Sequence, residues 1–77
     1  MVETAEKLAI SVTPDGVRVI GNRRGLMGLA DILNQLAQLP ETREESRKLG
    51  NHYHYAEYMN NTEPGSVEME ILYDPEL

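Results

Sequence analysis

Residues 23–39 have the length and apolar spacing of a substantial helix, and segments with strand-like alternation lie on both sides of them. The expected buried stripe has the i, i+3, i+4, i+7 spacing of one helix face and consists of Leu26, Leu29, Ala30, Leu33, Leu36 and Ala37. Met27 and Ile32 lie off this stripe and could widen it or stay exposed. Asn22 is a suitable N-cap, and Pro40 is expected to end the helix.

The segment before this helix predicts a β-hairpin. Apolar residues alternate with polar or small ones from Lys7 to Val12, which is the period of a strand with one buried face. The turn formers Thr13-Pro14-Asp15-Gly16 follow, and an apolar segment then returns. We therefore expect strands over residues 6–12 and 17–21.

A second hairpin is predicted after the helix. Residues 51–58 are rich in aromatic, strand-favouring side chains, and residues 66–73 have an apolar side chain at every second position. The turn formers from Asn60 to Gly65 separate the two expected strands. Between the helix and this hairpin, the charged segment Glu41–Leu49 starts with the spacing of a capping box and is compatible with a short helical turn or with a loop.

These elements predict an α+β fold with two layers and ββ-α-ββ connectivity. A chain of 77 residues can fill one hydrophobic core, so residues 1–77 are expected to form a single domain. One helix would cover one face of a four-stranded, mainly antiparallel sheet, and the strand order 2-1-3-4 would make every neighbouring pair antiparallel. The opposite face of the sheet would then meet water or a partner.

This open face is the predicted partner-binding surface. If Tyr53 and Tyr55 point toward the helix, the residues that the open face displays are Arg18, Ile20, His52, His54, Glu68, Glu70 and Leu72. In the opposite register the histidines would point inward, and the tyrosines would form an aromatic contact surface. Both registers are compatible with the alternation.

His52 and His54 would share one strand face, and Glu68 or Glu70 could complete a two-histidine, one-carboxylate set. Histidine and glutamate are also common on exposed strands, so we predict no metal site and no cofactor. The chain contains no phosphate-loop, dinucleotide-binding or nucleophile-elbow motif. We therefore predict no catalytic residues and no enzyme activity.

The charge and composition of the chain exclude several classes of partner. A formal net charge of -6 at pH 7 opposes binding to the phosphates of nucleic acid and favours a basic protein partner. The sequence has no cysteine, no apolar run of membrane-spanning length and no signal-peptide pattern. We expect a small acidic cytoplasmic protein without a membrane contact.

Four segments occur in a characteristic order along the chain: a strand with its flanking turns at Asp15–Asn22, a Gly-Leu helix start at Gly25–Leu26, a His-x-His strand at His52–Tyr55 and a final strand within Glu63–Ile71. Together they resemble the immunity protein 32 family of bacterial polymorphic-toxin loci. The resemblance implies a small α+β protein that binds a cognate toxin and blocks it, without a cofactor. The alternative is a homodimeric structural or regulatory domain that pairs through the same sheet face.

Overall fold

The structure is a computed structural model that describes residues 5–77. Its elements, in chain order, are β1 (Leu8–Thr13), β2 (Gly16–Gly21), α1 (Arg23–Ala37), α2 (Arg43–Lys48), β3 (His52–Tyr55), a 3₁₀ turn (Glu57–Met59) and β4 (Met69–Leu72). One main helix lies between two antiparallel hairpins, which confirms the predicted α+β class. Within the described residues, neither helix combines the length and the apolarity needed to cross a bilayer.

The strands form two separate two-stranded sheets, so the predicted four-stranded sheet is wrong. β1 pairs with β2, and β3 pairs with β4. On the other edge of β1 lies the segment that leads into β4. There the amide of Glu63 donates to the carbonyl oxygen of Leu8 at 2.7 Å, and the amide of Val67 donates to that of Ile10 at 2.8 Å. The neighbour of β1 is this segment and not β3, which also overturns the predicted order 2-1-3-4.

The residues before β4 explain why the sheet is not continuous. Pro64 has no N–H group, and Gly65 has a φ of 86°, in the left-handed region. Together they place a turn where a central strand would need consecutive ladder hydrogen bonds. β4 therefore begins only at Met69, whereas the predicted strand began at residue 66. β3 likewise ends at Tyr55 rather than at residue 58.

Helix α1 contacts the rest of the protein through a face that differs from the predicted one. Leu36 is buried, and Leu29 and Ile32 are half-buried. Leu26 and Leu33, both predicted to be buried, are 47% and 46% exposed. The buried stripe is rotated around the helix toward Ile32, which the sequence analysis had placed off the main stripe.

Gly25 explains this rotation, and Gly28 lies on the same side of the helix. A Cβ atom at Gly25 would overlap the carbonyl group of Lys7, and a Cβ atom at Gly28 would lie 2.8 Å from the carboxylate of Glu6. The chain before β1 therefore crosses close to the backbone of α1 at Gly25, where a side chain would block the approach. This crossing selects the glycine side of the helix as its contact face.

Asn22 joins the start of α1 to the same N-terminal segment. Its side-chain oxygen accepts hydrogen bonds from the amides of Gly25 at 2.7 Å and Lys7 at 3.1 Å. Its side-chain nitrogen donates to the carbonyl oxygen of Ala5 at 2.7 Å. The predicted N-cap is confirmed, and it also fixes the segment that crosses the helix.

The core lies between α1 and the two hairpins. Leu8 and Ile10 from β1 meet Tyr55 from β3, and the half-buried side chains that pack against them are Leu29, Tyr53, Met69 and Ile71. The two tyrosines therefore point inward. This arrangement selects the first of the two registers that the sequence allowed and places the histidines of β3 on the outer side.

The charged segment Glu41–Leu49, which was compatible with a helical turn or a loop, contains the short helix α2. Thr42 caps it by accepting a hydrogen bond from the amide of Glu45 at 3.3 Å. The guanidinium group of Arg43 makes two hydrogen bonds of 3.0 Å to the carboxylate of Asp74, beyond β4. Helix α2 is thereby tied to the end of the chain.

Candidate functional site

The outer face of the β3–β4 hairpin brings together five of the seven predicted site residues. His54 pairs with Glu70 across the ladder, and His52 pairs with Leu72. Because side chains alternate along a strand, these residues point away from the core that receives the two tyrosines. Glu68 joins them through its contact with His54. We call His52, His54, Glu68, Glu70 and Leu72 the histidine face.

His54 is at the centre of the histidine face. Its Nε2 atom lies 3.2 Å from Oε2 of Glu70, and its Nδ1 atom lies 3.7 Å from Oε1 of Glu68. The Nδ1 atom is shielded from solvent and has no hydrogen-bond partner. The ring of His52 stands edge-on to that of His54, with 5.2 Å between their centroids. Two imidazoles and two carboxylates can therefore exchange protons, form ion pairs or hold a cation here.

Tyr58 extends this surface, although the sequence analysis did not place it among the site residues. Its side chain is 69% exposed, and its hydroxyl donates a hydrogen bond to Oε1 of Glu68 at 3.1 Å. This bond raises the pKa of Tyr58, because ionisation would remove the donated hydrogen and leave two negative charges side by side. The 3₁₀ turn after β3 carries Tyr58 to this surface, and a continued strand alternation would also have put residue 58 on the side of His52 and His54.

Asn61 provides the sequence signal for that turn. Its side chain accepts a hydrogen bond from the amide of Ala56 at 2.9 Å and donates to the carbonyl oxygen of His54 at 2.8 Å. Asn60 beside it has a φ of 55°, a conformation that asparagine tolerates better than most residues. The Asn-Asn pair thus ends β3 and orients the turn that carries Tyr58.

Arg18 and Ile20 are not brought into the histidine face. They lie on β2, opposite Ser11 and Ala9 of β1, and both are exposed. β2 belongs to the other sheet, and β1 separates it from the segment that leads into β4. The single surface that we predicted is therefore divided between two hairpins.

An apolar surface remains open where the first hairpin extends beyond the helix. Val17 is 68% exposed, and Val19 on the same side of β2 is 37% exposed. Leu26 lies over the same side of the hairpin, since a Cβ atom at Gly21 would meet its side chain at 2.9 Å. Helix α1 covers one end of the hairpin and leaves the valines near its turn in solvent.

A cleft of about 320 Å³ lies between α1 and β3. It is lined in part by the carboxyl groups of Glu6 and Asp31 and by the rings of Tyr53 and Tyr55. Burial raises the pKa of the Tyr55 hydroxyl. Among residues 5–77, no serine, threonine, lysine or histidine lines this cleft.

The comparisons with known proteins give one match. The family model described as Immunity protein 32 matches residues 16–74, a range that extends from the start of β2 to just beyond β4. All seven predicted site residues lie within it. No curated protein and no solved structure matches the chain.

Proposed function

Because this chain belongs to the immunity protein 32 family, we propose that it is a non-enzymatic protein that binds a cognate bacterial toxin and neutralises it by direct contact. The observation that carries the proposal is the family match over residues 16–74. The partner would be another protein, and neutralisation would take place in the cytoplasm of the bacterium that makes both proteins. No cofactor is required for inhibition of this kind.

We place the toxin contact on the histidine face together with Tyr58. Leu72 is 58% exposed and Tyr58 is 69% exposed, so each can bury a large apolar area against a partner. Glu68 and Glu70 supply negative charge beside them. An exposed aromatic anchor with polar groups around it is the usual composition of an interface centre and its rim.

The charge of the protein favours a basic contact surface on the toxin. The net charge is -6 at pH 7, and Glu68 and Glu70 lie within the histidine face itself. Such complementarity accelerates association and makes it sensitive to ionic strength. Arg18 and Ile20, on the other hairpin, are proposed as a separate contact for a partner large enough to extend across both.

Coexpression with candidate toxins tests the proposal. Each toxin candidate encoded beside this protein would be produced with it and without it, and growth and complex formation would be measured. We expect one candidate to be lethal alone, tolerated with the immunity protein, and recovered with it as a stable complex. The proposal would be contradicted if this protein neither bound nor neutralised any of the lethal candidates.

Surface variants then locate the contact. Tyr58→Ala and Leu72→Ala should each weaken toxin binding by about 1–3 kcal/mol, roughly 5- to 150-fold, because anchor truncation removes buried area. Glu44→Gln on α2 is the control, since it removes one exposed carboxylate outside the histidine face. Unchanged binding in both anchor variants would move the interface elsewhere on the protein.

The exposed apolar surface supports a second candidate function, a homodimeric structural or regulatory domain. Val17 and Leu26 lie on it, and Ile20 is 55% exposed on the other side of the hairpin. Exposed apolar groups of this kind favour self-association. Light scattering at high micromolar concentration decides the matter, because a dimer supports this candidate and a strict monomer rejects it.

A further inference from the structure

The histidine face contains three side chains that can reach one metal ion. His52, His54 and Glu70 each offer one ligand atom, and these atoms all lie within 4.8 Å of one another. The antiparallel register creates this set, since His54 and Glu70 are directly opposite and His52 is two residues away on the same side of β3. Two imidazole nitrogens and one carboxylate oxygen suit a late first-row divalent ion.

We propose that the histidine face binds one divalent transition-metal ion, with Zn²⁺ as the best fit, through one ring nitrogen of each histidine and one carboxylate oxygen of Glu70. Three protein ligands leave a fourth position for water or for a group from another molecule. All three ligands come from one chain, so the site requires no partner and the proposal does not depend on toxin binding.

The distances are close to those that zinc requires. Zinc bonds of about 2.0–2.2 Å place neighbouring atoms of a tetrahedral site about 3.4 Å apart. The Nε2 atom of His54 and Oε2 of Glu70 are already 3.2 Å apart. The ring nitrogen of His52 lies within 4.8 Å of the other two ligand atoms, so it has to approach them by roughly 1.4 Å at most. His52 is exposed, so a rotation of its side chain can supply this movement.

The unpartnered nitrogen of His54 is an independent observation that favours a metal. The Nδ1 atom of His54 is shielded from solvent, has no hydrogen-bond partner and lies 3.7 Å from Oε1 of Glu68. A metal on Nε2 would put the proton on Nδ1, which could then donate to Glu68. Metal-bound histidines usually have a carboxylate or carbonyl partner of this kind. Glu68 would thus orient His54 without binding the metal.

A zinc titration of tag-free, metal-stripped protein tests the site. Zn²⁺ would be added in competition with a chromogenic chelator, and Co²⁺ would be added separately to record its visible absorption. We expect one Zn²⁺ per chain and a Co²⁺ spectrum of tetrahedral intensity. His52→Ala and His54→Ala should each lower the zinc affinity at least tenfold, and Glu70→Gln should also lower it. Glu44→Gln should leave the affinity unchanged.

The ordinary alternative is a cross-strand ion pair that binds no metal. It predicts no saturable zinc binding up to millimolar concentration, and that result would overturn the proposal. Equal binding by the wild type and both histidine variants would also overturn it, because the zinc would then lie elsewhere. Circular dichroism would check the fold of each variant. NMR of the wild-type protein supplies a measurement that needs no variant, because bound zinc should shift the ring signals of both histidines. Toxin neutralisation is assayed separately, so a failure of zinc binding and a failure of toxin neutralisation can be told apart.

Discussion

At the scale of single residues, the side chain of Asn22 makes three hydrogen bonds that join the helix start to the N-terminal segment. It caps α1 through Gly25 and holds the N-terminal segment through Lys7 and Ala5. A cap is usually a local device, but this one also sets the position of the chain that crosses the helix. Its removal therefore affects both the helix and the packing around it.

Asn22→Ala should lower the free energy of unfolding by about 1–2 kcal/mol, since loss of an N-cap alone typically costs about 1 kcal/mol and further hydrogen bonds are lost here. Asn22→Asp keeps the accepting oxygen but cannot donate to Ala5, so an intermediate loss is expected. Asn34→Ala, on the exposed side of α1, is the control. Urea denaturation would measure all three. A loss no greater for Asn22→Ala than for Asn34→Ala would contradict this role.

At the scale of elements, the position of α1 is decided by close backbone approach rather than by its most obvious apolar stripe. Leu26 and Leu33 remain almost half exposed, while the side of the helix that carries Gly25 and Gly28 faces the segment before β1. Glycine usually weakens a helix interior. Here it permits a contact that a larger residue would block.

Two alanine substitutions separate these effects. Gly25→Ala should destabilise the protein by about 1–3 kcal/mol, because the new methyl group would overlap the backbone of Lys7. Gly28→Ala meets only the flexible carboxylate of Glu6, and alanine favours the helix by up to about 1 kcal/mol, so a neutral or slightly stabilising result is expected. Thermal and urea unfolding would measure the difference. Equal effects of the two substitutions would disprove the close-approach explanation.

At the scale of the whole molecule, a small core and long-range hydrogen bonds hold two small sheets and two helices together. The buried apolar side chains among the described residues are Leu8, Ile10, Leu36, Tyr55 and Ala56. A core this small gives modest stability, so individual links between distant segments become important. The pairing of Arg43 with Asp74 joins α2 to the end of the chain, and it lowers the pKa of Asp74.

That link makes a pH-dependent contribution to stability. Because the pKa of Asp74 is lower in the folded state, its contribution is fully present above the unfolded value of about 3.9 and is lost as the pH falls through the folded value. Asp74→Asn should therefore be less stable than the wild type at pH 7, and the difference should shrink below pH 4. Asp15→Asn, in the exposed hairpin turn, is the control. A pH-independent difference would rule out the ion pair as its cause.

The sequence by itself determined the features that depend on neighbouring residues. The turn at Pro14-Asp15, the cap at Asn22 and the strand alternation that separates His52 and His54 from Tyr53 and Tyr55 all follow from local backbone preferences and side-chain period. These features were sufficient to put the two histidines on one side of their strand and the two tyrosines on the other, and the family match agrees with the resemblance seen in the motifs.

Only the tertiary structure decided which faces are buried and which segments become neighbours. The tyrosines point inward because Leu8 and Ile10 meet them in the core. Residues 63–67 occupy the edge of β1, which divides the predicted sheet and separates Ile20 from the histidines. The physical reason is that burial depends on contacts between residues far apart in sequence, and a local period cannot specify them.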